Sequence, residues 1–260
     1  MIAPSQTRFE RIQVAPAYQL VAEAIEREVV SGRLLPGEPV GTEAELVRQF
    51  GVNRSTVREG IRALEESGFI QRGPDRRLYA CLPRYSRLSS RMSRALALHE
   101  VTFRELFSVS LVLEVTAAEE AVAAATPEAI AELEENQKEL EAASAANDPI
   151  RISQVDFDFH VLLAKSTGNR VLTLSREPCS LLFFPTSELI CRRVPEGPGR
   201  MIFAHRQIID AITARDLEAA RLWMRRHIYD WRRGFERAGR DLDEPVERVY
   251  ARSLPQHMTL

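Results

Sequence analysis

The strongest constraint on the fold of this 260-residue chain is a tight turn between two helices at residues 51–53. Gly51 is suited to end one helix, and the Asn53 side chain is suited to cap free N–H groups at the start of the next. Apolar residues then recur at three- and four-residue spacing, which predicts one buried helix face: Val57, Ile61 and Leu64. The stretch therefore predicts the two packed helices of a helix-turn-helix.

Cationic and hydroxyl side chains occupy the other face of that second helix. Arg54, Arg58 and Arg62 recur every four residues, and Ser55 and Thr56 lie at the helix tip. Such a guanidinium row is typical of a helix that enters the DNA major groove. A solvated helix face would show the same row, and the net charge of −2 requires any nucleic-acid surface to be a local patch.

The flanking residues complete a predicted winged helix-turn-helix domain over residues 1–83. A helical pattern begins at Tyr18, and Thr42 is suited to cap the second helix. After the third helix, residues 69–72 and 77–81 predict two short strands joined by a turn. Basic side chains near this predicted wing extend the patch: Arg72, Arg76 and Arg77.

Residues 100–238 predict an all-α bundle of six or seven helices, so the chain as a whole is mainly α. Two prolines predict a break or kink in its apolar stretch 172–191. Residues 84–99 are predicted to be a linker, whose arginines serve either phosphate contact or solubility. Residues 239–260 contain acids and prolines and predict a poorly ordered tail.

Four potential metal ligands lie on apolar stripes of three predicted helices: Asp156, His160, His205 and His227. Asp156 and His160 are four residues apart and share one helix face, whereas Asp158 points elsewhere. A single inward histidine is usually a satisfied core residue. Burial of all four groups without partners would be costly, and neutral imidazoles with a carboxylate suit zinc or nickel. The pattern alone leaves both interpretations open.

Composition predicts a cytoplasmic protein without a membrane partner. No apolar run reaches the roughly 20 residues of a membrane span, and the first residues lack a signal-peptide pattern. The chain has three scattered cysteines without CxxC spacing, which is typical of a reducing compartment.

Four stretches follow a known pattern in order: Gly32-Arg33-Leu34-Leu35-Pro36-Gly37, Glu43-Ala44-Glu45-Leu46, Phe50-Gly51-Val52-Asn53-Arg54-Ser55-Thr56-Val57-Arg58-Glu59 and Leu64-Glu65-Glu66-Ser67-Gly68-Phe69-Ile70. In these stretches the chain resembles the GntR family of bacterial transcription regulators. The resemblance implies that double-stranded operator DNA is contacted by Arg54, Ser55, Thr56 and Arg58. Two departures leave the operator sequence open: Ala44 replaces a frequent DNA-contacting arginine, and Arg77 replaces a usual wing glycine.

The helical segment carries a second pattern: Asp156-Phe157-Asp158-Phe159-His160, then Gly168-Asn169, His205 and His227. It looks like the ligand-binding domain of the FadR subfamily of GntR regulators. The resemblance implies a homodimer, a divalent metal on Asp156, His160, His205 and His227, and a small carboxylate effector on that metal. It also implies that the effector changes the placement of the DNA domains. We therefore expect a repressor rather than an enzyme.

Ser110 departs from that subfamily, in which many members carry an effector-pairing arginine four residues before the equivalent of Glu114. A guanidinium fork matches a carboxylate and a serine hydroxyl does not. The effector is then less anionic, bound through the metal alone, or held by another arginine such as Arg104. Two other functions remain open: a metal-dependent hydrolase that uses a zinc-bound water, and a regulator whose helical domain only dimerises.

Overall fold

The computed structural model describes residues 15–75, 77–83 and 85–246, and the chain divides into two compact units after residue 84. The described residues of the first unit form three helices and three short strands. Their order is α1 Ala17–Val30, β1 Pro39–Gly41, α2 Glu43–Phe50, α3 Arg54–Ser67, β2 Ile70–Arg72 and β3 Leu78–Ala80. The predicted winged helix-turn-helix is confirmed.

The small sheet of the first unit is antiparallel with the order β1-β3-β2. The predicted hairpin pairs Ile70 with Ala80 and Arg72 with Leu78. The sequence predicts only a turn-rich connection where β1 lies. That strand forms because the second edge of β3 is free to pair: Ala80 N–H of β3 donates a hydrogen bond to Glu38 O, next to β1, at 2.9 Å.

The turn between α2 and α3 has the caps that its residues predict. Gly51 adopts the left-handed conformation with φ of 65°, and Asn53 Oδ1 accepts a hydrogen bond from Thr56 N at 2.8 Å. The apolar face of α3 is fully buried in the core of this unit: Val57, Ile61 and Leu64. The opposite face of α3 is thereby turned toward solvent.

Gly60 permits α1 to lie close against α3. A Cβ atom at this position would be 2.9 Å from the Tyr18 backbone oxygen and 3.1 Å from Val21 Cγ1. Any larger side chain would push the two helices apart.

The second unit contains seven helices among its described residues 85–246. They are α4 Tyr85–Leu98, α5 Phe103–Ala124, α6 Pro127–Ala145, α7 Pro149–Ser166, α8 Arg170–Arg193, α9 Gly197–Thr213 and α10 Leu217–Arg237. Side chains from α5, α7, α9 and α10 meet in its main core, where Phe159, Ile208 and Met224 are fully buried. The all-α prediction is confirmed.

The predicted linker 84–99 is largely helical. Its residues form α4, which packs on α8, and Ser93 Oγ donates a hydrogen bond to Pro178 O at 2.7 Å. Ala97 is buried in the core of the second unit. These long-range contacts are not visible in the local serine and arginine pattern.

Of the break or kink expected in residues 172–191, the break is wrong, because α8 is a single helix across Pro178 and Pro185. A proline in a helix interior costs about 3 kcal/mol. Burial of Leu182 and a hydrogen bond from Ser153 Oγ to Phe184 O (2.8 Å) help to offset that cost. Tertiary contacts therefore override the local signal.

Part of the predicted disordered tail is also packed. Leu242 and Val246 are each 2% exposed and lie in one apolar cluster with Phe103. Val246 N–H donates to Val101 O at 2.7 Å, and Arg104 N–H donates to Leu242 O at 2.8 Å. The expectation is thus wrong for residues 239–246, and residues 247–260 lie outside the described ranges.

Within the described ranges, no helix combines the length and the apolar character that crossing a bilayer requires.

Candidate metal centre and nucleic-acid interface

Three helices of the second unit bring the predicted metal ligands together. Asp156 and His160 come from α7, His205 from α9 and His227 from α10. One ligand atom from each residue lies within 4.8 Å of the others. The Nε2 atom of His227 is 3.1 Å from His160 Nε2 and 3.3 Å from His205 Nε2. Such convergence of imidazole nitrogens on one point is the arrangement that a bound cation requires.

The carboxylate of Asp156 supplies a test of whether a metal fits this point. Its Oδ2 accepts a hydrogen bond from Ser187 Oγ at 3.0 Å, which fixes the carboxylate plane. Its Oδ1 is buried without a hydrogen-bond partner among the described residues, although His205 Nε2 is 3.4 Å away. A buried, unpartnered carboxylate oxygen beside three imidazole nitrogens fits a divalent cation.

Glu114 on α5 orients His160 toward that point. Glu114 Oε2 is 2.9 Å from His160 Nδ1, which places the imidazole proton on Nδ1 and leaves the Nε2 lone pair for a ligand. Glu114 Oε1 accepts a second hydrogen bond from Arg176 Nε at 2.9 Å. Burial alone would raise the pKa of Glu114, but Arg176 and His160 lower it to about 2.

The protonation states around the centre favour cation binding at neutral pH. Burial is the main cause that lowers the pKa of His205, whose ring stacks on that of Phe159 with centroids 3.7 Å apart. Burial is also the main cause that lowers the pKa of His227 well below its usual value. For Asp156, burial raises the pKa, but the neighbouring histidines more than offset it and leave that pKa well below the usual range. Neutral imidazoles and an ionised carboxylate are the forms that bind metals.

A cavity of about 80 Å³ opens beside three of the four residues, Asp156, His160 and His227. Its polar wall includes Ser110, Glu114, Arg176 and Arg200, and the rest of the wall is largely apolar. This space is several times what one water molecule needs, so it is large enough for a small organic molecule.

Arg104, which was considered as an effector-binding arginine, does not line this cavity. Its side chain is exposed and pairs with Asp243, with Nε 2.6 Å from Oδ1. The cavity arginines are Arg176 and Arg200, and the sequence interpretation missed both. A charged residue within the apolar stretch 172–191 was the available signal for Arg176.

Asp158 lies outside the cluster, as its spacing predicts. It accepts a hydrogen bond from Gln154 Nε2 at 3.0 Å, and partial burial raises its pKa. His99 is exposed. The expectation that His257 is exposed falls outside the described ranges.

The outer face of α3 presents the predicted DNA-binding residues. Arg54, Ser55 and Arg58 are exposed, and Thr56 is partly buried at the first turn. The Ser55 hydroxyl donates to Asn53 Oδ1 at 2.7 Å, so in this state it supports the helix cap. Arg54 is 76% exposed in its side chain, and its guanidinium lies 3.6 Å from Glu43. The arginine heads are therefore open to a phosphate or a base edge.

The arginines beside the wing divide into paired and open groups. Arg72 pairs with Glu43 at 3.1 Å and with Glu65 at 2.9 Å, so two acids hold its head in place. Arg77 is exposed and is 4.0 Å from Asp75. The expected contribution of Arg76 lies outside the described residues.

Comparison with known protein families assigns each unit separately. Residues 17–79 match the model of the bacterial regulatory proteins of the gntR family, and residues 105–230 match the FCD domain. The chain belongs to the GntR family. The FCD domain places this GntR regulator with the FadR-like subfamily.

Individual relatives of this GntR regulator are distant. The Glc operon transcriptional activator of Escherichia coli is 26% identical over 223 residues, which cover 82% of this chain and 86% of that protein. The histidine utilization repressor of Klebsiella aerogenes is 40% identical over 58 residues, or 22% of this chain and 24% of that protein. The solved structure of a Streptococcus agalactiae GntR protein has a TM-score of 0.58 at 25% identity and covers 83% of this chain and 99% of its own.

Proposed function

We propose that this GntR-family regulator is a repressor that binds operator DNA as a homodimer and is controlled by a small carboxylate effector. The effector binds at a divalent metal ion, zinc or nickel, held by Asp156, His160, His205 and His227. The DNA is contacted by α3 through Arg54, Ser55, Thr56 and Arg58.

One observation carries the sensor half of this proposal: the four ligand atoms converge at the wall of a cavity. A metal used only for stability would be enclosed by protein ligands. Here the cavity reaches Asp156, His160 and His227, so a small molecule in it can contact the ion. When bound, the metal supplies a Lewis-acidic position for a carboxylate oxygen.

The DNA half of the proposal rests on the exposed arginines of a capped helix within a winged helix-turn-helix. Operators with two half-sites are read by dimers, because one recognition helix covers only a few base pairs. Relatives include both a named activator and a named repressor, so the sign of regulation needs its own measurement.

The test measures binding of the full chain to DNA from upstream of its own coding region by fluorescence anisotropy at several salt concentrations. We expect tight, salt-sensitive binding that the Arg54→Ala, Arg58→Ala double variant lacks. Undiminished binding by that variant would refute the DNA assignment. Transcription from the same DNA in vitro should decrease when the protein is added, and an increase would refute repression.

The acids that line the cavity support a sensor over a hydrolase. Glu114 is held by His160 and Arg176, and Asp230 is held by Arg200 at 2.8 Å. Within the described cavity wall, neither is placed as a free proton shuttle. Turnover of an ester or amide panel by the zinc-loaded protein, lost in His205→Ala, would instead support the hydrolase.

A further inference from the structure

Arg176 carries a buried positive charge with unused hydrogen-bonding capacity. Its residue is 2% exposed, and its Nε donates to Glu114 Oε1 at 2.9 Å. Its two Nη groups have no hydrogen-bond partner among the described residues, although a guanidinium has five N–H donors. Because Arg176 lines the cavity, a molecule bound there can supply the missing acceptors.

Glu114 ties this guanidinium to the candidate metal centre. One of its oxygens contacts Arg176 and the other contacts His160, both at 2.9 Å. The arginine and a candidate metal ligand are therefore held on the two sides of a single carboxylate. A small ligand bound near His160 lies beside Arg176 as well.

The fixed charges around the cavity define the charge of that ligand. Asp156 and Glu114 carry two negative charges, and Arg176 carries one positive charge. A divalent ion adds two positive charges, which leaves a single positive charge to be balanced. Arg200 does not change this sum, because its Nε pairs with Asp230 Oδ2 at 2.8 Å. A ligand with one negative charge fits this balance better than a dianion.

Apart from Ser110, Ser180 and Ser187, the remainder of the cavity wall is largely apolar and aromatic. Phe183 and Trp231 meet edge to face with ring centroids 4.5 Å apart, and Ile190 and Met201 line the same space. Trp231 Nε1 is already satisfied by Thr186 Oγ1 at 2.9 Å. This wall offers van der Waals contact to a hydrocarbon group and few hydrogen bonds to a second polar group.

We propose that Arg176 determines effector specificity by binding the carboxylate of a small monocarboxylic acid whose apolar side chain packs against Phe183 and Trp231. The assignment rests on the proposed sensor function and specifies its ligand class. A guanidinium and a carboxylate form two parallel hydrogen bonds, which adds directional selectivity to the attraction of the metal.

The experiment is calorimetric titration of the zinc-loaded full chain with 3-methylbutanoate and phenylacetate. Succinate serves as the dianion, and 3-methylbutanamide serves as the neutral analogue. We expect at least one of the two monocarboxylates to bind at least tenfold more tightly than succinate and the amide. Failure of both monocarboxylates to bind, or tighter binding of succinate, would overturn the proposed ligand class.

Two variants test whether Arg176 is responsible for the preference for monocarboxylates. Arg176→Gln, titrated with its metal site saturated by zinc, should weaken monocarboxylate binding at least tenfold while leaving amide binding unchanged. Arg104→Gln removes an exposed arginine outside the cavity and should change affinity less than twofold. Equal affinity of Arg176→Gln and the unaltered protein would refute the role of Arg176.

A second variant covers the case in which Arg176→Gln fails to fold. Arg176→Lys keeps the positive charge beside Glu114 but loses the planar fork, so it should fold and bind the monocarboxylate at least threefold more weakly. Unchanged monocarboxylate affinity in this variant would contradict the proposed pair of parallel hydrogen bonds from the Arg176 guanidinium. Operator binding is measured in parallel: a monocarboxylate that binds through Arg176 without altering operator affinity would refute the sensor function and leave the ligand assignment intact.

Discussion

Glu114 and His160 are joined through Oε2 and Nδ1 at 2.9 Å, so a helix that contributes no candidate ligand determines how one ligand is presented. Helix α5 thereby controls the tautomer of a histidine on α7. Arg176 from α8 fixes the other oxygen of the same glutamate. The candidate centre is supported by these outer contacts as well as by the four residues themselves.

Removal of the Glu114 charge should weaken metal binding. In Glu114→Gln the amide is a poorer acceptor for His160 Nδ1–H, and loss of such outer contacts typically costs about 10–100-fold in metal affinity. Competition of zinc with a chromophoric chelator measures the change. Glu119→Gln on the same helix, which loses only a peripheral pair with Arg221, should bind zinc like the unaltered protein.

Chelation of the metal should destabilise the protein. Metal present at about 1,000 times its dissociation constant adds roughly 4 kcal/mol to the free energy of unfolding. For a unit of this size, each kcal/mol corresponds to about 2–4 °C in Tm. Differential scanning fluorimetry with and without chelator should show a decrease of about 10 °C. The His205→Ala variant should show almost no response, and an equal response there would argue against this site.

The metal-free protein should lose stability as the pH falls from about 7 to 5. Burial lowers the pKa of His205 and His227, whereas in the unfolded chain both titrate near 6.5. The unfolded state therefore binds more protons below that pH, and the free energy of unfolding decreases. Urea unfolding at several pH values measures the slope. His227→Gln should flatten it, whereas the exposed His99 changed to Gln should leave it unaltered.

Gly60→Ala should destabilise the first unit. The added Cβ would meet the Tyr18 backbone oxygen at 2.9 Å, and crowding of this kind costs about 1–3 kcal/mol. Gly199→Ala is the matched control, because its Cβ would meet nothing within 4 Å and alanine favours the helix by up to about 1 kcal/mol. Chemical denaturation of both variants compares them. Equal stability of the two would show that α1 and α3 can separate without cost.

Arg54→Ala alone should abolish specific operator binding. Arg54 is open to solvent at the first turn of α3, where recognition helices contact base edges. A base-reading arginine contributes about 1–3 kcal/mol of discrimination, so the ratio of operator affinity to random-sequence affinity should decrease about tenfold or more. Arg62→Ala, about two helical turns further from the tip, should lower both affinities together. A loss of well under tenfold in Arg54→Ala would place the base reading elsewhere.

Local sequence patterns predict the parts of this molecule that depend on local physics. Asn53 caps α3 because a side-chain oxygen satisfies nearby N–H groups, and that requirement is readable from a few residues. The four-residue spacing of Asp156 and His160 likewise predicts a shared helix face, because it matches the helical repeat. The structure brings both residues to one point with His205 and His227.

Features that depend on distant residues could not be predicted in this way. Arg176 lies two residues before Pro178, where a helix break was expected, so its face could not be assigned before α8 was known to be continuous. Its partner Glu114 is 62 positions away in the sequence. Leu242 and Val246 are isolated apolar residues among acids, and their burial depends on contact with Phe103 at the start of the distant helix α5.

The short segment after α10 is part of the packed helical domain of this chain. The FCD match ends at residue 230, yet Phe103 is sealed by Leu242 and Val246, and Thr102 bridges to Pro245. A protein shortened at residue 230 would expose the fully buried Phe103 and free the N-terminal turn of α5. The packed helical unit therefore extends past the end of the FCD match, from residue 230 to residue 246.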